Sequence, residues 1–310
     1  MTGARIGMLG KRWKSSSLTH MKNFYEQQRR RESPTEMLKN MLASQSAQTN
    51  EVVAKEYGLN DLLSSDAALE VEGYTELYGK EAVLADAEFV RKCEVDFSSA
   101  GNPNVQAFYL EKYGAKTENE IIAKWRENKS YEKNGQMEMA VTALLSQKLG
   151  KDFLVVRTAP YDDYKNGVDN LIFDRTTGEV VGAFDEVHEG GTGQRIKEKE
   201  LKIKKITERG GAKIQYGLKF VDGKFVRGVL EGVPVFYLGL ESSELLELED
   251  AFRENNIEKT NKIFEKLINA LTGQHEMLEK SAGSSGVRAR LASFGQTLSR
   301  LMNSNQQKAA

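Results

Sequence analysis

Apolar positions along the chain keep helical spacing in short blocks up to about residue 130 and shift to strand-like runs after residue 134. Ser33-Pro34-Thr35-Glu36 predicts a helix start, with a capping serine and a proline in the first turn, and Met37, Leu38, Met41 and Leu42 give that helix one apolar face. Helical pieces follow at residues 51–57, 75–78, 85–95, 105–113 and 118–126, interrupted by Gly58, Gly73, Gly79, Gly101 and Pro103. Residues 33–130 are thus expected to form a helical N-terminal region that either packs on the later core or serves as a partner-binding module.

From residue 134 the character changes. Met137, Val141, Leu144, Leu145 and Leu149 define a strongly apolar helix stopped by Gly150, and residues 153–158 read as a buried strand. Residues 168–174 and 179–187 read as a hairpin turned at Arg175-Thr176-Thr177-Gly178, whose glycine supplies a positive φ. A glycine-bearing loop at 190–193 leads to a Lys/Glu-rich helix over 194–209, then to strands at 213–221 and 224–230 hinged on Asp222-Gly223. Residues 233–240 (VPVFYLGL) form a continuous apolar run of the kind buried on both faces. Ser242 and Ser243 are expected to cap a helical stretch over 244–280 with a break near Asn255-Asn256; residues 281–286 read as a linker and 287–302 as a further amphipathic helix. The expected class is α/β: a mixed sheet flanked by helices over residues 131–241, C-terminal helices over 242–280 packing on it, and a linker, helix and polar tail over 281–310.

Composition narrows this picture by exclusion. The chain has 310 residues, 29% of them charged, and a net charge of −1, so global charge names no partner. One cysteine, Cys93, excludes an intramolecular disulfide and a zinc site built on several thiolates; with only His20, His188 and His275 besides, a structural zinc is not expected. The longest apolar runs are strand length, far below the ~20 residues of a membrane span, which predicts a soluble, cytoplasmic protein. Residues 1–32 form a basic, serine-bearing arm with Arg5, Lys11, Arg12, Lys14, Lys22 and Arg29-Arg30-Arg31; an organelle transit segment has that composition too, but a solvated arm is favoured.

Candidate chemistry concentrates on the hairpin. Asp169 lies at the start of its first strand and Glu186 near the end of the second, so antiparallel pairing brings them to one edge. Period two places Glu186 and His188 on one face and Asp185 on the other. Two carboxylates and the Val187 carbonyl suit Mg²⁺ (or Mn²⁺), which takes oxygen ligands and keeps several waters. His188 is expected to be raised by the two acids and lowered by a bound divalent ion. Arg195, Lys197, Lys199 and Lys202 on the following helix are candidate phosphate contacts, with Tyr216 and Phe220 near enough in sequence to stack on a base. The plainer account of that helix is a solvated face with i,i+4 pairing.

A helical Glu138, then a strand, Gly167-Val168-Asp169, and a hairpin ending in Glu186-Val187-His188 resembles the PD-(D/E)XK nuclease superfamily. The resemblance covers about residues 134–240 and implies a restriction-endonuclease-like core of helix, three strands, helix and strand. It implies metal-dependent phosphodiester hydrolysis, DNA favoured over RNA, with Glu138 as the helical acid, Asp169 and Glu186 as the strand acids, and His188 where the family has lysine. Lys197 or Lys199 could stand in for that lysine, as in family branches where it has migrated. Two rival expectations are a non-catalytic nucleic-acid binder on the same fold and a helical interaction protein, self-associating through residues 244–280.

Overall fold

The computed structural model describes residues 32–189 and 194–309, so the basic arm and the 190–193 loop lie outside the described residues. Helix α1 (Pro34–Tyr57) begins where Ser33 Oγ accepts from the Glu36 N–H at 3.2 Å and runs unbroken through the piece expected separately at 51–57. A 3₁₀ turn (Val71–Tyr74) leads to α2 (Thr75–Tyr78), α3 (Lys80–Ser98), α4 (Pro103–Tyr113) and α5 (Glu118–Lys129). The region divides in its packing: α1 buries Leu38, Leu42 and Val53 in the main core, whereas the helices from α3 to α5 close on a small cluster of Ala100, Ala115, Ile121 and Ile122.

Helix α6 (Lys133–Leu149) then packs on a mixed sheet. Strand β1 (Phe153–Arg157) pairs antiparallel with β2 (Asn170–Asp174), across a short helix α7 (Pro160–Asn166) that the chain's polarity there disguises as loop. Strand β3 (Val180–Glu189) pairs antiparallel with β2, with a register shift at Ile172/Phe173. Helix α8 (Gln194–Glu208) and the hairpin β4 (Ala212–Val221) and β5 (Lys224–Val233) cross over to β6 (Val235–Glu241), which lies parallel to β3. The order is β1-β2-β3-β6, with β4-β5 a separate two-stranded sheet. This is the expected α/β class, a mixed sheet flanked by helices.

Strand β6 ends the sheet, and its outer backbone is satisfied by a side chain: Gln274 of α10 (Ile257–Glu279) accepts from the Tyr237 N–H and donates to the Tyr237 carbonyl, both at 2.9 Å. Helix α9 (Ser242–Glu254) starts one residue earlier than expected in its cap, because Glu241 and Glu244 form a reciprocal capping box that leaves Ser242 and Ser243 inside the helix. Asn255, at φ 51°, ends α9 and Asn256 caps α10, which is the break expected there. Helix α11 (Ser285–Ala309) buries Val287, Leu291, Phe294 and Leu298 in the main core, with Phe294 stacked 4.0 Å from Phe236, so it belongs to the body of the fold.

Gly178 sits in the β2–β3 turn at φ 68°, and a Cβ there would fall 1.9 Å from Phe220. Gly223, at φ 76° in the β4–β5 turn, faces open space. Gly178→Ala therefore costs about 2 kcal/mol or more, from strain plus overpacking, and Gly223→Ala about 1 kcal/mol from strain alone. Urea denaturation of the two variants checks this, and equal losses would refute the packing role of Phe220.

Candidate functional site

Antiparallel pairing of β2 with β3 does bring Asp169 to Glu186. The Asp169 N–H donates to the Phe184 carbonyl at 2.8 Å, and Asp169 Oδ2 accepts from the Glu186 N–H at 2.7 Å. The Glu186 side chain turns toward α6, where its Oε1 accepts from Asn170 Nδ2 at 2.8 Å, and Asn170 is in turn bonded to Thr142. Glu186 is 8% exposed and its Oε2 is buried with no hydrogen-bond partner. Glu138, from the first turns of α6, accepts from Arg157 Nη2 at 3.0 Å. Arg157 closes β1 and also stands 3.8 Å from Asp66.

A fourth carboxylate joins them. Asp162, fully buried, accepts from the Gln215 and Tyr216 N–H groups at 2.8 Å each and ties α7 to β4. Successive helical residues point apart, and the charge of Asp163, the next residue, is felt by Asp169. Burial, then the charge of Asp169, pushes Glu186 well above the ordinary carboxylate range. Burial, then Asp163, raises Asp169 to about 6. Glu138 is raised by burial and then by Asp169, against the opposing pull of Arg157 and Lys129. Burial disfavours the charge on Arg157, but Glu138, Asp66 and Asp169 outweigh it and hold the guanidinium above its usual value. The group is a nest of acids held at short range with too little positive charge to neutralise it.

Above this nest opens a cavity of about 440 Å³ lined by Glu138, Glu186, Val187, His188, Arg195 and Lys199, among others. His188 Nε2 lies 2.9 Å from Ser242 Oγ at the start of α9. Its pKa is lowered, by burial and then by Lys133 and Arg195, which corrects the expectation that the acids raise it: the charges that reach the ring are cationic. The α8 lysines divide. Lys199 donates to Asp185 Oδ1, and Lys202 Nζ lies 2.9 Å from Asp185 Oδ2; both lysines also line the cavity that Glu186 lines. Lys197 and Arg195 are exposed. Tyr216 is fully buried with its hydroxyl donating to Asp86 at 2.8 Å, so it presents no free face to a base, and Phe220, packed beside Gly178, lines a different cavity from the one above the nest.

Sequence pattern selected Glu138, Asp169, Glu186 and His188, all of which reach this region; it passed over Arg157, Asp163 and Asn170. A signal for Asp163 existed in Pro160 and Gly167, which bracket a short helix as a first-turn proline and a left-handed cap. Among the described residues, no group of three or more His, Cys, Asp or Glu side chains converges as a finished metal-ligand set. A two-carboxylate hard-cation site is compatible with that: Glu186 Oε2 is a buried acceptor lacking a partner, Asp169 adjoins it, and the donor atoms are all oxygens. The same residues fit soft or thiolate-seeking metals poorly. No family model, curated protein or solved structure matches the chain.

Proposed function

We propose that the protein is a metal-dependent nuclease of the PD-(D/E)XK type, hydrolysing phosphodiesters at the Asp169/Glu186 nest. The observation that carries the reading is the buried, partnerless Oε2 of Glu186 beside Asp169 at the floor of a cavity with Arg195 on its wall. Topology supports it as well: α6, three antiparallel strands, α8 and a strand parallel to the third follow the order of a restriction-endonuclease-like core, with β4-β5 inserted before the last strand.

In this reading Asp169, Glu186 and the Val187 carbonyl hold Mg²⁺ or Mn²⁺, whose chemistry when bound is to polarise the scissile phosphate and lower the pKa of the attacking water. The Glu186 N–H fixes the Asp169 carboxylate, and Asn170 fixes Glu186, so both acids are oriented before substrate arrives. Arg157 holds Glu138 at the edge of the nest, where Glu138 lines the cavity. His188, kept neutral near pH 7 by burial and then by Lys133 and Arg195, lines the cavity with one ring nitrogen on Ser242 and would take a proton from a water there. Exposed Arg195 and Lys197 neutralise phosphates, while Lys199 and Lys202 serve Asp185.

The full chain is expected to cut single- or double-stranded DNA or RNA in Mn²⁺ or Mg²⁺ and to stop in EDTA. Failure to cut any of the four substrates with either ion sinks the reading. A non-catalytic binder has one observation in its favour: of the two candidate replacement lysines, Lys199 is committed to Asp185 and Lys197 is exposed. Salt-sensitive binding with no Mn²⁺ affinity by calorimetry would select it.

A further inference from the structure

The helices from α3 to α5 leave aromatic surface in water beside the acid nest. Phe97, at the end of α3, is 61% exposed, more than any other aromatic side chain among the described residues. Its ring lies 6.5 Å from Trp125 of α5, tilted by 27°, and 5.6 Å from Tyr164 of α7. Three separate elements thus deliver three rings to one place. The tyrosine is fixed: its hydroxyl donates to Glu94 Oε1 at 3.2 Å, and Glu94, only 2% exposed, is gripped by two Arg126 bonds of 2.6 and 2.5 Å. A rigid aromatic surface loses little entropy on contact, which favours recognition over incidental exposure.

One cation lies over two of these rings, while the carboxylates that reach Tyr164 are Glu94, held by Arg126, and Asp163. Lys129 Nζ stands 5.8 Å from the Trp125 centroid and 6.0 Å from that of Tyr164, and Lys165 Nζ stands 5.3 Å from Phe89. Neither lysine forms an ion pair with a carboxylate among the described residues. The charge of Lys129 also acts on the nest, opposing the rise that burial gives Glu138 and Asp163. Tyr164 follows Asp163 directly in α7, so the aromatic surface and the nest share one helix as well as one cation.

We propose that Phe97, Trp125 and Tyr164 form a stacking platform for an unpaired base of single-stranded nucleic acid, with Lys129 and Lys165 taking its phosphates. Aromatic faces interleaved with ammonium groups match a polymer of flat rings on an anionic backbone, and a base already paired within a duplex has no free face to offer. The inference deepens the nuclease reading by naming its substrate class: single strands, or strands frayed at an end. A stacked nucleotide would have its neighbour's phosphodiester beside Lys129 and the acids.

The test is binding by the full chain in EDTA, where cleavage is silent, of fluorescein-labelled dT10, rU10 and an abasic decamer of equal charge. Wild type binds at least one base-bearing decamer more tightly than the abasic one. Phe97→Ala weakens that binding by about tenfold or more and leaves the abasic decamer unchanged, because base stacking and phosphate contact are separate contributions. Phe97 is exposed, so its removal spares the fold, and Trp125→Leu provides a second variant with the same expectation. A loss confined to dT10 or to rU10 supports the platform and names the sugar. Equal binding of all three decamers, or variants that bind as wild type does, overturns it. A protein that binds through Phe97 but cuts nothing with Mn²⁺ keeps the platform and loses the nuclease reading; one that cuts while Phe97→Ala binds normally does the reverse.

Discussion

Glu186→Gln raises the thermal midpoint of the metal-free protein at pH 8 and removes phosphodiester cleavage. The two effects have one cause. Glu186 is buried between β3 and α6, and one of its oxygens has no partner while the charge of Asp169 stands against it. Glutamine keeps the acceptor that Asn170 uses, since Oε1 remains to receive its Nδ2 hydrogen bond. The new amide can donate toward Asp169, so a repelling pair becomes a hydrogen-bonded one. Relieving an unsatisfied buried charged group is worth on the order of 1–3 kcal/mol, hence a rise of several degrees. Activity moves the other way, because a neutral amide holds Mg²⁺ poorly; several kcal/mol of transition-state stabilisation are lost, about 10³-fold in rate. Differential scanning calorimetry in EDTA and an oligonucleotide cleavage assay in Mn²⁺ read the two halves. A variant that is less stable and equally active would show Glu186 to be a structural acid.

The two acids could be read from the chain because strand period and antiparallel pairing act locally: Gly178 fixes the turn, and the turn fixes which residues oppose each other. The same reasoning placed Asp185 away from Glu186, where two α8 lysines hold it. It also contained an unused warning about Tyr216. Ile214, Tyr216 and Leu218 alternate along β4 and all three are buried, so period two already marked Tyr216 as interior rather than as a surface for a base. Other features had no local signal. Arg157 ends an apolar strand and becomes the partner of Glu138 only when β1 lies under α6. His188 follows two acids in sequence, yet the charges it meets, Lys133 and Arg195, come from other helices. The Phe97, Trp125 and Tyr164 surface joins residues from α3, α5 and α7, and no periodicity within one element encodes such a meeting.

The metal-free protein loses stability as pH rises from about 4 to 8, and Mn²⁺ restores it most strongly at the upper end. Glu186, Asp169, Glu138 and Asp163 all have folded-state pKa values above their ordinary ones, burial being the largest cause in each. A carboxyl raised on folding binds its proton more tightly in the native state. Its contribution is fully present below the unfolded pKa and is lost as pH climbs through the folded value. For Asp169, moved from 3.8 to about 6, the window runs from near pH 4 to above pH 6, and the loss is about 3 kcal/mol. That corresponds to a fall in Tm on the order of 5 °C. Asp174 has the opposite shift, lowered through Arg300 and the Thr176 and Thr177 amides against the cost of its burial, so its contribution disappears below this window and leaves the trend intact. A divalent ion binds the ionised acids and competes with their protons, so its stabilisation is small at pH 5 and reaches about 2.7 kcal/mol at pH 8 when present at a hundred times its Kd. Asp169→Asn should flatten the metal-free profile and abolish the Mn²⁺ response together. A Tm independent of pH over this range, or a Mn²⁺ effect of equal size at pH 5 and pH 8, would mean that the four carboxylates do not share a site that a cation completes.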